Sequence, residues 1–445
     1  MKGDRGCARG RRFLKTMVLS LSLALFPAWV LSEEVPRDID ERSPRGPASP
    51  DAAYSQKTVG QDRFLLLADV DLLLNLSDLE GADRLWGGTA RGVITPVYRL
   101  TDRTSFLLTY DGLYDKKRDF YSDDVGPRER SEFQSHTLTP MVRFDFGPDA
   151  RFSLSPSVFH TRTYNKDLEA EAWDEGLYNY RDNGGGLELD IRGAGFGNGE
   201  GAFRLGVQYY KRRYPNYDSL LDLAIGLDTE KDEKDYRGWI ARLGYDWIQE
   251  TGFSWQAEYS LLHKRLKDKR VVDENGALTE DKQRDFWHTL ELNGWYRFDR
   301  RLTVGAVFTS GLYQSNQNFY DGLGSLTLAD DVFTPDFYDS TSLRVEPYTS
   351  YTFPGFPLTA TLSYAYEKVD YDDRTAKFAD GTYKAEAQWE ARHEVEAELR
   401  YRFGQYWSIV GLWRHAKASS NNDDERTYRY DYETDTYSLG VSFSY

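Results

Sequence analysis

Ionisable side chains recur at every second position along much of this chain, most clearly between Trp389 and Phe403. Seven of them, Glu390, Arg392, Glu394, Glu396, Glu398, Arg400 and Arg402, alternate there with mostly apolar residues. A side-chain period of two is the signature of a β-strand, so these acids and bases share one face of a sheet. Carboxylates and guanidinium groups on such a face attract, pair and select ions, so this pattern indicates ion chemistry in contact with water.

The same parity in the other alternating segments extends this charged face. We expect the following residues to line an enclosed, water-filled lumen: Asp69, Asp71, Arg99, Asp111, Arg143, Glu188, Asp190, Arg242, Glu258, Glu291, Arg344, Glu346, Glu390, Arg392, Glu394, Glu396, Glu398, Arg400 and Arg402. One interpretation is a hydrated pore whose acidic excess favours cations or polar neutral solutes. The other is a salt-bridged interior that only holds the wall open or fills it.

Catalytic chemistry finds little support in the sequence. The six histidines, His136, His160, His263, His288, His393 and His415, all continue the apolar parity of the nearest segment, and no HExxH spacing occurs. The single cysteine, Cys7, lies in the N-terminal region discussed next. We therefore expect no enzyme activity, no cofactor and no metal site.

The first residues resemble a secretory signal. Basic side chains between Lys2 and Lys15 precede an apolar run from Met17 to Leu31, and small Ser32 offers a cleavage position. We expect residues 1–32 to be removed and residues 33–60, which are polar and contain four prolines, to form a flexible periplasmic leader.

Composition narrows the remaining choices. Loss of residues 1–32 removes six basic side chains and one acidic one, which moves the formal charge from −16 to −21 and argues against a nucleic-acid partner. A mean hydropathy of −0.67 argues against a bundle of membrane-spanning helices. Abundant tyrosine and tryptophan beside this polarity are typical of a barrel with aromatic girdles and a polar lumen.

The elements that must position the charged face are about sixteen strands between residues 61 and 445. We predict them at residues 66–75, 93–100, 105–114, 137–146, 152–160, 187–192, 203–210, 239–247, 253–261, 286–298, 302–312, 343–353, 358–366, 389–403, 407–413 and 437–445. Short turns alternate with long polar segments, among them 267–283, 316–340 and 371–387. This predicts an all-β, transmembrane, antiparallel up-and-down β-barrel with short periplasmic turns and long extracellular loops.

The last alternating segment carries a resemblance to a known class. Tyr437, Leu439, Val441, Phe443 and Tyr445 alternate with small residues up to the end of the sequence, and this resembles the C-terminal strand of Gram-negative outer-membrane β-barrel proteins. The resemblance implies a bacterial outer-membrane location and recognition of these five residues as an assembly signal by the barrel assembly machinery. It also implies outer-membrane lipid and lipopolysaccharide as partners, and it leaves a homo-oligomer open.

Two functions follow from this resemblance and the charged face. The first is a porin-like channel through which small polar or cationic solutes diffuse. The alternative is a non-conducting barrel that acts as a scaffold, an adhesin or an export or assembly partner. The segment 316–340, the longest of the connections, is a candidate for an inward constriction, although an external lid is the more usual role of such a loop.

Overall fold

The computed structural model describes residues 63–79, 85–117, 131–166, 172–195, 199–217, 232–249, 252–321, 332–424 and 430–445. The predicted signal segment 1–32 and leader 33–60 lie outside the described residues. The strands are β1 (Phe64–Leu79), β2 (Leu85–Thr101), β3 (Thr104–Lys117), β4 (Ser131–Phe146), β5 (Phe152–Lys166), β6 (Tyr180–Arg192), β7 (Glu200–Arg213), β8 (Tyr236–Ile248), β9 (Gly252–Val272), β10 (Leu278–Arg297), β11 (Leu302–Ser315), β12 (Phe319–Asp321), β13 (Val332–Thr334), β14 (Ser340–Thr352), β15 (Leu358–Lys377), β16 (Tyr383–Phe403), β17 (Trp407–Ser420) and β18 (Tyr432–Ser444).

Sixteen of these strands form one closed antiparallel barrel in which neighbours in sequence are neighbours in space. The short β12–β13 hairpin stands apart as a separate two-stranded sheet. Each predicted strand overlaps one of the barrel strands, so the prediction of an antiparallel barrel of about sixteen strands is confirmed. No helix in the described part of the chain is long and apolar enough to cross a membrane.

The seam of the barrel joins the two ends of the described chain. β1 pairs with β18 from Asp69 opposite Ser444 to Leu79 opposite Thr434. Beyond this register, the backbone N–H of Ala68 donates to the carbonyl of Tyr445, and the N–H of Tyr445 donates back, at 3.0 and 2.8 Å. Both edges of the sheet are thereby paired, which a sheet surrounded by hydrocarbon requires.

Alternation along the strands separates an outer from an inner face. Large apolar side chains such as Leu72, Leu205, Leu243, Leu362 and Leu439 are between 42% and 63% exposed. Contact of so much apolar surface with water would cost free energy, whereas contact with lipid acyl chains does not. The exposed apolar face is therefore the membrane-facing one.

The predicted connections differ from the observed ones at two places. Residues 267–283 and 371–387 were expected to be loops, but β9, β10, β15 and β16 continue through most of them and meet in tight turns near Gly276 and Gly381. These strand ends rise beyond the apolar band, where both faces are polar and the period-two signal disappears. Backbone pairing persists there because each strand still offers its neighbour a row of hydrogen-bonding groups.

The two rims of the barrel are therefore unlike. One carries short turns such as the 3-10 turn Pro148–Ala150 and the turn at Gly404, and we call it the short-turn rim. The other carries the long strand ends and the β12–β13 hairpin, and we call it the long-loop rim. In barrels of this architecture the short turns are periplasmic and the long loops extracellular.

Candidate functional site: the inner wall

The inner wall consists of the side chains that alternate with the exposed apolar ones. By this parity, the charged residues predicted for the lumen, from Asp69 and Asp71 on β1 to Arg400 and Arg402 on β16, occupy inner-face positions. Their role as the lining of a conducting path remains a prediction. The contacts between them, which the sequence could not supply, divide the wall into distinct charge groups.

The first group surrounds Arg204 on β7. Its guanidinium lies 3.1 Å from Asp246, 3.7 Å from Asp190 and 3.9 Å from Glu258, which come from β8, β6 and β9. The side chains of Arg204 and Glu258 are 42% and 43% exposed although they point into the barrel. Space for water therefore reaches the inner wall at this height.

Two carboxylates of this region face each other directly. Glu258 on β9 and Glu291 on β10 are register partners, and neighbouring side chains in such positions come within about 5 Å at their Cβ atoms. Glu291 and nearby Glu188 form neither an ion pair nor a hydrogen bond with a described residue. This part of the wall holds more carboxylates than the two nearby cations, Arg204 and Arg242, can balance, so it carries an excess of negative charge.

The second group lies on β14 to β17, and its charges are paired. Arg344 lies 2.8 Å from Glu346 and 3.4 Å from Glu367. Arg392 lies 2.7 Å from Glu394. The wall on this side is accordingly a salt-bridged lattice, in contrast to the carboxylate group on β6 to β10.

Arg414 on β17 extends the lattice. It lies 2.8 Å from Glu396 and 3.5 Å from Glu394, and Arg400 pairs with Glu398 at 3.0 Å. Arg414 was not predicted from the sequence because the preceding inner-face residues of its strand, such as Val410, are apolar and show no charged parity.

The remaining predicted residues lie on the other side of the barrel. Arg143 bonds Asp145 at 3.0 Å and also donates to Ser153 at 2.9 Å. Asp111 lies 3.8 Å from Arg91, a residue that the prediction did not include. The assembly-signal residues alternate outward on β18, where Tyr437 and Leu439 are 51% and 63% exposed.

Towards the long-loop rim, the inner wall is aromatic rather than charged. Trp287 on β10 and Tyr313 on β11 stack with ring centroids 3.9 Å apart, and Phe319, Phe337 and Tyr338 pack against them, all at most 8% exposed. The first two point inward, because they alternate with exposed Phe286 and Leu312. The described parts of the segment 316–340 therefore fold into the mouth of the barrel, and we call them the inward segment.

The inward segment also contacts the ends of β15 and β16. Asp321 at the end of β12 accepts a hydrogen bond from the hydroxyl of Tyr383 at 2.7 Å and lies 3.3 Å from the ammonium of Lys377. Arg374 on β15 lies over the ring of Phe337 at 5.0 Å and donates to the hydroxyl of Tyr430 at 3.2 Å. These contacts connect the hairpin to the ends of β15 and β16.

Asp339 connects the end of the inward segment to β11. One carboxylate oxygen accepts a hydrogen bond from the backbone N–H of Ser315 at 2.7 Å. Partial burial raises the pKa of Asp339 to about 6, and nearby Asp336, Asp372 and Asp373 act in the same direction. This carboxyl group therefore changes charge near neutral pH at the mouth of the barrel.

The histidines form no catalytic set among the described residues. The Nδ1 atoms of five of them bond outward-facing partners on neighbouring strands, as in the pairs His136 with Tyr110 at 2.8 Å and His288 with Tyr259 at 2.7 Å. In the part of the chain that the structure describes, no group of three or more potential ligands could hold a metal ion.

Comparison with known proteins is limited to the fold. No protein-family model matches the sequence, and no curated protein matches it. Similar solved structures include OmpT, an outer membrane protein of Vibrio cholerae (11% identity, TM-score 0.44, 86% of this chain and 100% of that one). An anion-selective porin from Comamonas acidovorans (10% identity, TM-score 0.40) aligns over 86% of this chain and 99% of its own. CdiB from Acinetobacter baumannii (10% identity, TM-score 0.44) aligns over 84% and 60%.

Proposed function

Since this chain is a bacterial outer-membrane β-barrel protein, we propose that it is a porin-like channel through which small polar or cationic solutes diffuse. The observation that carries the proposal is the pair of facing carboxylates Glu258 and Glu291 on the inner wall, where Glu258 shares the single cation Arg204 with Asp190 and Asp246. These carboxylates need water around them, because burial of an unpaired ion in a dry interior costs several kcal/mol or more. A hydrated lumen with negative potential concentrates cations and repels anions.

The test is ion selectivity of the purified protein in planar lipid bilayers under a salt gradient. We expect the sign of the reversal potential to show that the channel passes cations in preference to anions. The double variant Glu258→Gln and Glu291→Gln keeps the side-chain volume and removes both charges, so its reversal potential should move towards zero.

A matched control removes the same kind of charge outside the lumen. Glu280 is exposed near the start of β10, at the long-loop rim, and Glu280→Gln should leave the reversal potential nearly unchanged. An equal shift in both variants would show that the inner carboxylates are not the selective element. Wild-type barrels that insert but carry no current would exclude a channel.

One observation favours a second candidate function, the non-conducting barrel that serves as a scaffold, adhesin or export partner. The inward segment packs its aromatic residues against Trp287 and Tyr313 at the mouth of the barrel. If the same bilayer experiment yields no current from folded protein, and removal of the inward segment restores one, the segment closes the lumen and this second function becomes the better account.

A further inference from the structure

An unusual set of basic residues lies on the outer face of the barrel near the long-loop rim. Its members alternate with buried inner-face residues such as Asp182, Arg212 and Lys264, and all but the half-buried Lys211 are exposed. We call this set the basic belt: Arg162 on β5, Arg181 on β6, Lys211 and Arg213 on β7, Arg237 on β8, Arg265 on β9 and Arg284 on β10.

The register places these cations directly beside one another. In one row, Arg162 opposes Arg181, which opposes Arg213. In the second row, Lys211 opposes Arg237, and Arg237 opposes Arg265. Arg265 in turn opposes Arg284. Like charges directly opposite are destabilising, so an arrangement repeated over six strands calls for an anion to neutralise it.

Within its described residues the protein supplies no ion-pair partner for this set, and Arg213 and Asp235 interact only at longer range. None of the seven side chains forms an ion pair there, whereas outer-face lysines elsewhere on the barrel do. Lys368 lies 2.7 Å from Asp370, and Lys417 lies 3.6 Å from Glu433. The belt is therefore a separate feature and not a general property of the outer surface at this height.

Its height on the barrel indicates where the missing anions are. Immediately towards the membrane from the second row lies an aromatic row of Tyr209, Trp239, His263 and Phe286, with Tyr209 and Trp239 in contact at 4.7 Å and His263 stacked on Phe286 at 4.5 Å. Aromatic rows of this kind mark the membrane–water interface.

The dimensions of β9 agree with this assignment. Its outer face is apolar or aromatic from Phe253 up to His263, a stretch of about 33 Å along the strand and about 25 Å along the axis of a barrel whose strands tilt by roughly 40°. The apolar band of a transmembrane barrel is about 25 Å tall. Arg265, two residues further on, consequently stands at the level of the lipid headgroups.

We propose that the basic belt binds the phosphate groups of anionic glycolipid headgroups in the leaflet at the long-loop rim. Six of the seven residues are arginine, whose guanidinium binds phosphate through two parallel hydrogen bonds. Phosphates seated between opposed cations neutralise the repulsion within each row. The lipid bound on β5 to β10 thus forms an ordered collar on one side of the barrel.

The test measures binding of purified lipopolysaccharide to the full-length protein in non-ionic detergent. The double variant Arg237→Gln and Arg265→Gln removes the centre of the second row. At about a factor of five per basic residue, we expect roughly thirty-fold weaker binding. The control variant Lys368→Gln and Lys417→Gln removes two outer-face cations of similar height and should bind as the wild type does.

Chemical variants of the ligand identify the recognised group. Dephosphorylated lipopolysaccharide should bind the wild type about as weakly as intact lipopolysaccharide binds the double variant. Inorganic phosphate at the same phosphate concentration should not compete. Equal binding by the double variant overturns the proposal, and so does full competition by inorganic phosphate, which would make the belt a site for free anions.

Thermal unfolding shows whether the variant folds and gives a second prediction. In non-ionic detergent without lipid, the double variant should unfold at the same or a higher temperature than the wild type, because repulsion has been removed. On addition of lipopolysaccharide, the wild type should gain more stability than the variant. A wild-type dimer that the double variant cannot form would assign the belt to a protein interface and overturn the lipid assignment.

Discussion

The attachment of the inward segment can be tested by removing one aromatic ring. Phe337 is 5% exposed, its ring centroid lies 4.6 Å from that of Phe319 and 5.1 Å from that of Tyr338, and Arg374 covers it at 5.0 Å. Truncation of a buried phenylalanine to alanine costs about 3–5 kcal/mol. Because each 1.4 kcal/mol is a factor of ten, Phe337→Ala should raise the population of the detached segment by roughly 10²- to 4 × 10³-fold.

Hydrogen exchange of the backbone amides measures this population directly. Paired residues of the β12–β13 hairpin, such as Phe319 opposite Thr334, should lose protection by the same factor in Phe337→Ala. Conductance in planar bilayers should rise, or become noisier, as the segment leaves the mouth of the barrel. Amides in the middle of β10 should keep their protection, since the barrel wall is intact.

A matched control is available at the other rim. Phe356 is 52% exposed in the short turn that follows β14, so Phe356→Ala removes the same side chain without opening a packed cluster. It should leave hairpin exchange and conductance unchanged. Unaltered hairpin protection in Phe337→Ala would refute the claim that the aromatic cluster holds the segment inside.

Two further predictions concern buried charge and pH. Arg212 binds both carboxylate oxygens of Asp182 at 2.9 Å, with both side chains less than 10% exposed. Arg212→Ala should therefore lower the free energy of unfolding in lipid vesicles by about 3–5 kcal/mol. Lys368→Ala, at an exposed ion pair, should cost about 1 kcal/mol or less, and equal losses in the two variants would contradict this account. The pKa of Asp339 is raised to about 6 from 3.8, so the attached state holds this proton more tightly than the detached one. The inward segment should then be attached more firmly as pH falls from 7.5 through 6 to 5. Hydrogen exchange of the hairpin amides should become slower over this range, after correction for the intrinsic pH dependence of amide exchange. Asp339→Asn should abolish that change.

The sequence predicts the strands best where one face meets lipid. The run from Trp389 to Phe403 shows this, since hydrocarbon selects apolar side chains at one parity and leaves the other free to be charged. Above the apolar band that selection ends, and the polar extensions of β9, β10, β15 and β16 consequently appeared as loops.

The candidate site was only partly predictable for a related reason. Parity gives the face on which Glu258 and Glu291 lie, but their direct opposition depends on a strand register fixed by the whole sheet. Arg414 reaches Glu396 across a strand pair that no local pattern reveals. Phe337 and Trp287 belong to one buried cluster that joins a connection to the wall. The sequence of a long polar segment does not indicate which distant residues its few hydrophobic side chains pack against.

The pairing of β1 with β18 has a consequence for the folding of this protein. The two strands are the most distant in the barrel along the chain, so the contact that joins them has the highest sequence separation and the largest loop-closure entropy of all the pairings. Until β18 is present, the partly formed sheet has two unprotected edges, each able to recruit a strand from another molecule. The stages before closure are therefore the ones most in need of a chaperone.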